Sequence, residues 1–297
     1  MNTQQQFKQY LEQKGQTKRT VENRLVIYGQ YAEWLEKERL EAQEVTYNDL
    51  LVYIKHCRQK GITQRTIQSY IGTIKHYYAH LIREGEINYN PAEDIKVQGV
   101  KRKVIYHMLE PQELHQIYNS YSPEASGETL AGRRNKVMLG LLVYQGLKTE
   151  ELRKLETNDI KLREGKIEVP GGRKSNHRTM TLESHQIMDV YDYILQARPE
   201  ILKASGQETD QLFVSLTGKE STISNLVNSF LRPLKEQFKT LKNAKQIRAS
   251  VITKWLKQYN LRETQYLAGH RYISTTESYQ QNDVEGLAEE INMYHPL

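Results

Sequence analysis

The 297-residue chain contains a single cysteine and has no long apolar run. One cysteine, Cys57, excludes an internal disulfide and a cysteine-based zinc site, and we expect it to lie buried or half-buried in a core. No apolar run approaches the roughly 18–20 residues that a membrane-spanning helix needs, so no membrane partner is predicted. The opening residues lack the basic and then apolar pattern of a signal peptide. These absences predict a soluble protein in a reducing, cytoplasmic setting.

Positive side chains outnumber negative ones, which gives the chain a formal net charge of +6. This balance suits a polyanionic partner such as nucleic acid but does not require one. Basic residues also gather in a run that contains no acidic residue: Lys96, Lys101, Arg102 and Lys103. Such a run is either a solvated linker or a surface that follows a polyanion.

Residues 1–95 show the spacing of several amphipathic helices. Apolar residues recur three and four positions apart in four segments, for example over Val21–Leu35. Thr63 is a candidate N-cap of the fourth helix, and Pro91 interrupts the pattern because the residue before a proline disfavours helix. The sequence therefore predicts a small bundle of four helices, followed by a basic linker over 96–106.

Residues 107–297 predict a mainly helical domain with a small sheet. Pro111 with acidic neighbours marks a helix start, and Val137–Tyr144 is apolar nearly all round, as in a buried helix. Alternating residues at 166–169 and 179–182 predict two strands joined by a hairpin loop. Further elements are predicted as helices over 184–198, 221–238, 245–259 and 262–268, and as a short strand over 212–214.

The most specific motif stands near the end of the chain. His270 follows a glycine and precedes Tyr279 by nine residues, with the pair Thr275–Thr276 between them. Tyr279 is one of twenty tyrosines, so only this spacing singles it out. A tyrosine hydroxyl has a reference pKa of about 10 and attacks well only where a held partner activates it. The motif therefore marks Tyr279 as a candidate nucleophile.

This motif resembles the C-terminal box of the tyrosine recombinase (phage integrase) family, and the resemblance covers almost the whole chain. Gly85–Pro91 is similar to the late pattern of the family's helical core-binding domain. The resemblance implies a mainly α fold: a SAM-like, DNA-clamping bundle at 1–95, a basic linker at 96–106 and a catalytic domain at 107–297. That catalytic domain would be mixed α/β and mostly helical, with a small antiparallel sheet and a C-terminal exchange helix.

The resemblance places two of the family's basic catalytic positions on lysines. The first arginine falls on Lys148, which keeps the charge but loses the planar fork that clamps two phosphate oxygens. The His-x-x-Arg box falls on Lys245 and Arg248, which three-residue spacing places on one helix face. Glu151 falls on the family's acidic position, either as a brace of the site or as a helix-start carboxylate.

The family's hairpin lysine has two candidate positions. In the compact form of the turn it aligns with Asn176, whereas longer turns align it with Lys174, which Ser175 follows. We assign Lys174 as the general acid that protonates the 5′ leaving oxygen. His270 matches the family's last histidine, which donates to the phosphate, and Tyr279 matches the nucleophile.

The resemblance implies a site-specific recombinase or integrase of a phage or mobile element, which cuts and rejoins DNA through a 3′-phosphotyrosyl bond without metal, ATP or cofactor. Its partner would be double-stranded DNA, with four protomers in the synaptic complex. The free form could be a monomer, and an accessory DNA-bending protein could assist. The setting would be the bacterial cytoplasm. DNA contacts are assigned to Arg173 and Arg271 in addition to the basic run.

Two other functions are compatible with the same residues. The changes at Lys148 and Lys245 favour a catalytically weakened member of the fold that acts as a DNA-binding architectural or regulatory protein. The intact spacing from His270 to Tyr279, and the charge kept at both altered positions, argue against it. A generic basic helical protein would explain the charge but leaves the motif spacing as coincidence.

Overall fold

The computed structural model describes residues 3–100, 107–123, 129–172, 175–216 and 223–280. The chain forms two compact units, Met1–Lys103 and Val104–Leu297, and each has its own hydrophobic core. Some predicted functional residues lie outside the described residues: Lys101, Arg102, Lys103, Arg173, Lys174 and the exchange helix expected after residue 280. Within the described ranges, every helix is too short or too polar to span a membrane.

The N-terminal unit is the four-helix bundle that the sequence predicts. Its helices are α1 (Thr3–Gln13), α2 (Lys18–Glu38), α3 (Tyr47–Gln59) and α4 (Gln64–Arg83). Threonine hydroxyls cap three of them, since Thr17, Thr46 and Thr63 accept backbone N–H groups of the first turn. The N-cap predicted at Thr63 is therefore confirmed, with its Oγ1 3.3 Å from the backbone nitrogen of Thr66.

Aromatic rings fill the core of this bundle. The ring of Tyr31 packs edge-on against Tyr53, with centroids 5.1 Å apart, and its hydroxyl lies 2.7 Å from that of Tyr78. Cys57 is a buried free thiol, as predicted. Many of the chain's tyrosines thus serve packing in this unit, because a ring supplies apolar area and its hydroxyl can still find a partner.

The second unit is mostly helical around a single core. Residues Val137 to Val143 of one helix run through that core and are buried, as the sequence predicts. Residues 273–280, near the end of the described chain, are also helical. The other elements in chain order are α5 (Pro111–Ser120), α6 (Thr129–Val143), α7 (Thr149–Lys154), β1 (Ile160–Lys161), β2 (Lys166–Val169), β3 (Arg178–Thr181), α8 (Ser184–Asp192), α9 (Arg198–Ser205), α10 (Ile223–Gln237), α11 (Ala244–Gln258) and α12 (Leu261–Leu267).

The three strands form one antiparallel sheet in the order β1-β2-β3. Val169 of β2 is the register partner of Arg178 of β3, and Ile167 is the partner of Met180. Because side chains alternate across a strand, Arg178 and Met180 are buried whereas Thr179 is only half-buried. Strand β3 therefore delivers an arginine into the interior of the unit.

Three local predictions differ from the structure. Strand β1 was not predicted, because two residues are too few to show an alternation. Leu212–Val214 is buried but is not a strand, since only the neighbouring Gln211 pairs, in an isolated bridge. The single helix predicted over 184–198 is interrupted by a π turn, Tyr193–Ala197, and then continues as α9. Pro199 stands two residues after this turn and has no N–H to complete a regular α-helical ladder, which accounts for the interruption.

Candidate active site

The chain turns back into the second unit after α12 and buries His270 there. It reverses at Gly269, where φ is +61°, and the His270 N–H donates to the carbonyl of Gln265 over 3.0 Å. Helical residues 273–280 follow directly and bring Thr276 and Tyr279 to the imidazole. The motif that the sequence singles out is therefore a local structure in which glycine permits the reversal.

Arg248, on α11, lies at the centre of the site. Its Nη1 donates to the carbonyl of Gly146 over 2.5 Å, and its Nη2 donates to that of Ala268 over 2.6 Å. The same Nη2 lies 3.2 Å from Nε2 of His270. Arg248 is 5% exposed, so it is not a surface arginine of a basic helix. These bonds hold the guanidinium in one orientation beside the histidine.

The hydrogen bonds of His270 define its tautomer. A guanidinium only donates, so Nε2 accepts from Arg248 and the proton sits on Nδ1, 3.0 Å from Oγ1 of Thr276. Burial, and then the charges of Arg248 and Lys148, lower the pKa of His270 to about 3. The imidazole is therefore neutral near pH 7. Its Nε2 offers a lone pair in this state, so the predicted donation to a phosphate requires a change of protonation when DNA binds.

Tyr279 lies against His270 on the same short segment of chain. The two rings are stacked, with centroids 5.6 Å apart and planes 15° from parallel. Burial lowers the pKa of Arg248, and the charge of Glu151 and then the Tyr279 side chain oppose that shift. The guanidinium charge therefore acts on the phenol and stabilises negative charge on its oxygen.

Glu151, at the start of α7, binds an arginine that the sequence analysis did not single out. Arg178 of β3 is fully buried, and its Nη1 and Nη2 lie 3.0 and 3.1 Å from the two oxygens of Glu151. Oε2 of Glu151 also accepts the backbone N–H of Lys148 over 2.9 Å and lies 3.7 Å from Nη1 of Arg248. Burial alone would raise the pKa of Glu151, but Arg178 and Arg248 lower it. This carboxylate thus caps the start of α7 and contacts two arginines of the cluster, and its role as a brace of a catalytic site stays a prediction.

One further step of the strand alternation would have revealed Arg178. Met180 and Leu182 are the apolar members of the strand predicted over 179–182, so residue 178 falls on the same buried face. A charge on that face needs a partner of opposite sign, because burying an unpaired charge is costly. The sequence does not show that Glu151 is the partner, since 27 positions separate the two residues.

The two lysines that replace family residues lie in different surroundings. Lys148 is half-buried, and burial followed by the charge of Arg248 lowers its pKa. Lys245 lies in the first turn of α11 and is exposed, whereas burial on this helix begins at Gln246. The structure therefore brings Lys148 to Arg248 but leaves Lys245 in solvent, and a catalytic role for Lys245 stays a prediction.

The hairpin between β2 and β3 runs beside the loop that carries the histidine. The N–H of Asn176 donates to the carbonyl of Gly269 over 3.1 Å, and Ser175 pairs with His270 in an isolated bridge. Lys174, the predicted general acid, directly precedes Ser175 and lies outside the described residues. The arm of the hairpin that leads into β3 is thus held at the site, and the role of Lys174 stays a prediction.

The predicted DNA contacts are only partly covered by the described residues. Lys96 in the first unit and Arg271 in the second are exposed, as a DNA contact requires. Their role stays a prediction, together with that of the residues that lie outside the described ranges: Lys101, Arg102, Lys103 and Arg173.

The cluster carries the groups that phosphoryl transfer needs. A phosphoryl group in transit is stabilised by positive charge and hydrogen-bond donors, and it needs a nucleophile within reach. Arg248 and Lys148 can supply the charge, and Tyr279 can supply the hydroxyl. Among the described residues, no group of three or more His, Cys, Asp or Glu side chains is arranged to hold a metal ion. The arrangement has the composition of a phosphoryl-transfer site whose nucleophile is a tyrosine.

Comparison with known proteins identifies the family. The sequence model of the phage integrase family matches residues 107–285, and that of the phage integrase N-terminal SAM-like domain matches residues 5–85. The chain therefore belongs to the phage integrase family of tyrosine recombinases, and as a member it is a site-specific DNA recombinase. This agrees with the family, fold class and activity that the sequence predicts.

Individual relatives are similar over most of their length. The tyrosine recombinase XerC of Natranaerobius thermophilus is 27% identical over 266 residues, which cover 87% of this chain and 86% of that protein. XerC of Bacillus subtilis is 24% identical over 297 residues, which cover 98% and 95%. The crystal structure of XerH site-specific recombinase bound to palindromic difH substrate has a TM-score of 0.71 at 17% identity, covering 92% of this chain and 79% of that one. The Tn1549 transposon integrase in complex with circular intermediate DNA has a TM-score of 0.65 at 18% identity, covering 94% and 95%. These structures show that the fold is shared.

Proposed function

We propose that Tyr279 is the nucleophile with which this recombinase cuts and rejoins DNA, and that Arg248, Lys148 and His270 form the site for the scissile phosphate. The observation that carries the proposal is the stack of Tyr279 on His270, with Arg248 hydrogen-bonded to the imidazole and its charge coupled to the Tyr279 side chain. The substrate is double-stranded DNA, whose charged backbone suits a chain with a net charge of +6. The DNA complexes among its structural neighbours support this substrate.

The reaction exchanges one phosphate ester for another. The oxygen of half-buried Tyr279 attacks the scissile phosphorus as its proton passes to solvent water, and Arg248 stabilises the negative charge that develops on the phenol oxygen. His270 accepts from Arg248 through Nε2 and so keeps the guanidinium aligned. The bond from phosphorus to the 5′ oxygen breaks, and this oxygen takes a proton from Lys174 to become a free hydroxyl. The 3′ phosphate stays on the tyrosine until a 5′ hydroxyl from a partner strand attacks it and restores the Tyr279 hydroxyl. No energy-supplying cofactor is needed, because the ester is conserved.

The charged groups around the phosphate have separate tasks. Arg248 is aligned by the carbonyls of Gly146 and Ala268, so its guanidinium needs no reorganisation to stabilise the charge that develops on the phosphoryl oxygens. Lys148 adds a second positive charge as a point donor, in place of a bidentate fork. Lys245, at the exposed start of α11, is proposed to meet the phosphate backbone from solvent.

The assembly is proposed to follow the family. Four protomers would join two duplexes, with the segment after residue 280 as the exchange helix, and the free form could be a monomer. Lys96 and Arg271 are exposed and would contact the DNA backbone. We place the reaction in the bacterial cytoplasm, on the DNA of a mobile element, with or without a DNA-bending accessory protein.

The test is an SDS-resistant adduct assay on nicked duplexes cut from the DNA that flanks the gene. A nick near the cleavage site lets the released strand diffuse away, so a covalent intermediate accumulates. Wild type is compared with Tyr279→Phe, and Tyr272→Phe is the matched control because that tyrosine is exposed and seven positions away. We expect adducts with wild type and Tyr272→Phe and none with Tyr279→Phe, which should still bind the duplex.

Three other outcomes would contradict the proposal in different ways. An adduct that persists in Tyr279→Phe would assign the nucleophile elsewhere. Loss of duplex binding in Tyr279→Phe would make that tyrosine structural. Tight binding by wild type without any adduct would favour the architectural or regulatory DNA-binding protein that the altered basic positions allow.

A further inference from the structure

Arg178 is buried in the proposed active site and has no role among the catalytic positions. Its guanidinium is fully buried, which for an arginine requires strong compensation. Two of its nitrogens bind both oxygens of Glu151, and its Nε has no hydrogen-bond partner among the described residues. A leucine or methionine would fill the same position on β3 without any of these desolvation costs. The arginine therefore needs an explanation beyond packing.

The carboxylate that Arg178 binds is also close to the central guanidinium of the site. Oε2 of Glu151 lies 3.7 Å from Nη1 of Arg248, which is too long for a full hydrogen bond, whereas Arg178 binds at 3.0 and 3.1 Å. The carboxylate is thus paired first with Arg178 and only second with Arg248. Two guanidinium groups share one carboxylate, so the three groups together keep a net positive charge that can attract a phosphate.

Arg178 also packs against the backbone that carries the catalytic histidine. A Cβ built on Gly269 would lie 2.9 Å from Cζ of Arg178, and closer still to Nη1. The guanidinium therefore occupies the space that any side chain at position 269 would need. Because His270 is the next residue, the position of Arg178 and that of the imidazole are linked through one peptide unit.

We infer that Arg178 is a positioning residue of the recombinase: it binds both oxygens of Glu151 at hydrogen-bond distance, so that this carboxylate does not close onto Arg248 and neutralise it at the scissile phosphate, and it seats the Gly269–His270 turn. This inference rests on the proposed function. Without Arg178, Glu151 would turn to Arg248 as its remaining buried partner and neutralise it. The lysine at position 148 makes this more important, because Arg248 is then the arginine on which the phosphate clamp depends.

The test is a rescue experiment on the full chain. Arg178→Met should slow adduct formation on the nicked duplex by up to about 100-fold, the loss that follows when a catalytic group is misplaced by about 1 Å. Adding Glu151→Gln in the same chain removes the charge that would neutralise Arg248, so at least about one fifth of the lost rate should return. Arg198→Met is the matched control, since Arg198 is a buried arginine of the same unit whose side-chain hydrogen bonds within the described ranges go to the carbonyls of Thr209 and Gln211. Any slowing of adduct formation by Arg198→Met should not be reversed when Glu151→Gln is added.

A second measurement needs no DNA and separates this inference from the proposed function. Titration of the His270 ring by NMR reports the charges around it, which are those of Arg248, Lys148, Arg178 and Glu151. Arg178→Met should raise the ring pKa, because a nearby positive charge is lost. Arg178→Gln, which introduces a smaller polar side chain, should give the same signs in both assays if Arg178→Met does not fold.

The outcomes overturn the inference in distinct ways. A double variant that is folded and as slow as the single variant would make Arg178 purely structural. An unchanged adduct rate, or an unchanged ring pKa in a folded Arg178 variant, would also refute it. If wild type forms no adduct at all, the proposed function fails. The ring titration still tests whether Arg178 acts on His270.

Discussion

The sharpest structural prediction concerns Gly269, where two separate constraints meet. Its φ of +61° is in the left-handed region, which costs an L side chain about 1–2 kcal/mol. A Cβ there would also collide with the guanidinium of Arg178, which cannot swing aside because it is fully buried and bound to Glu151. Breaking a buried ion pair costs about 3–5 kcal/mol. Gly269→Ala should therefore destabilise the second unit by roughly 4–7 kcal/mol.

Gly206 provides a matched control within the same unit. Its φ is +64°, almost the same as at Gly269, but a Cβ there would meet nothing within 4 Å. Gly206→Ala should thus report the backbone cost alone, about 1–2 kcal/mol. The difference between the two variants isolates the collision with Arg178.

The measurement is the free energy of unfolding of both variants in urea, followed by thermal melts. In a unit of this size each kcal/mol lowers the melting temperature by about 2–4 °C. Gly269→Ala should melt at least about 6 °C below Gly206→Ala and should form adducts far more slowly. Equal destabilisation of the two variants would refute the reasoning, since it would mean that Arg178 moves away at little cost.

Three further predictions concern the neighbours of this turn. Lys148→Ala should slow adduct formation by about 100-fold, the usual loss for one donor to a developing charge, whereas Lys148→Arg should not; equal rates for all three proteins would assign the task to another group. The pKa of His270 falls from an ordinary 6.5 to about 3, so only the unfolded chain takes up its proton between those values. Stability should therefore drop as the pH falls from 6.5 towards 3, and more steeply in wild type than in His270→Asn; parallel urea-unfolding curves would contradict the buried neutral ring. Thr276→Val removes the acceptor of the Nδ1 proton, so it should slow adduct formation about 10-fold, while the ring keeps its Nδ1–H tautomer in NMR spectra because Arg248 still donates to Nε2; a changed tautomer would show that Thr276, and not Arg248, selects it.

The buried charges of Arg178 and Glu151 change what the lysines at the altered basic positions imply for the strength of the phosphate clamp. Lys148 by itself suggests a weakened phosphate clamp, because a lysine lacks the paired donors of an arginine. The structure adds Arg178 and Glu151, which leave Arg248 aligned by backbone carbonyls and only loosely paired with the carboxylate. The site therefore carries more organised positive charge than the motif positions alone indicate.

Much of the fold follows from local pattern. The four N-terminal helices, the buried helix around Val137 and the two-stranded hairpin were predictable because each is encoded by apolar spacing within one segment. The motif from His270 to Tyr279 was predictable for the same reason, since both residues sit on one short stretch of chain. The π turn at Tyr193–Ala197 was not, because it departs from the regular period on which such predictions depend.

The sequence by itself determined the family, the two-part organisation of its helices and the candidate nucleophile. Only the tertiary structure decided which charges meet: it buries Arg178 on Glu151, places Arg248 between that carboxylate and His270, and leaves Lys245 in solvent. The physical reason is that periodicity records which face of an element is apolar, whereas an ion pair across 27 or more positions depends on how separate elements pack. A buried charge is tolerated only where such packing supplies its partner, and the chain supplies that partner from a distant helix.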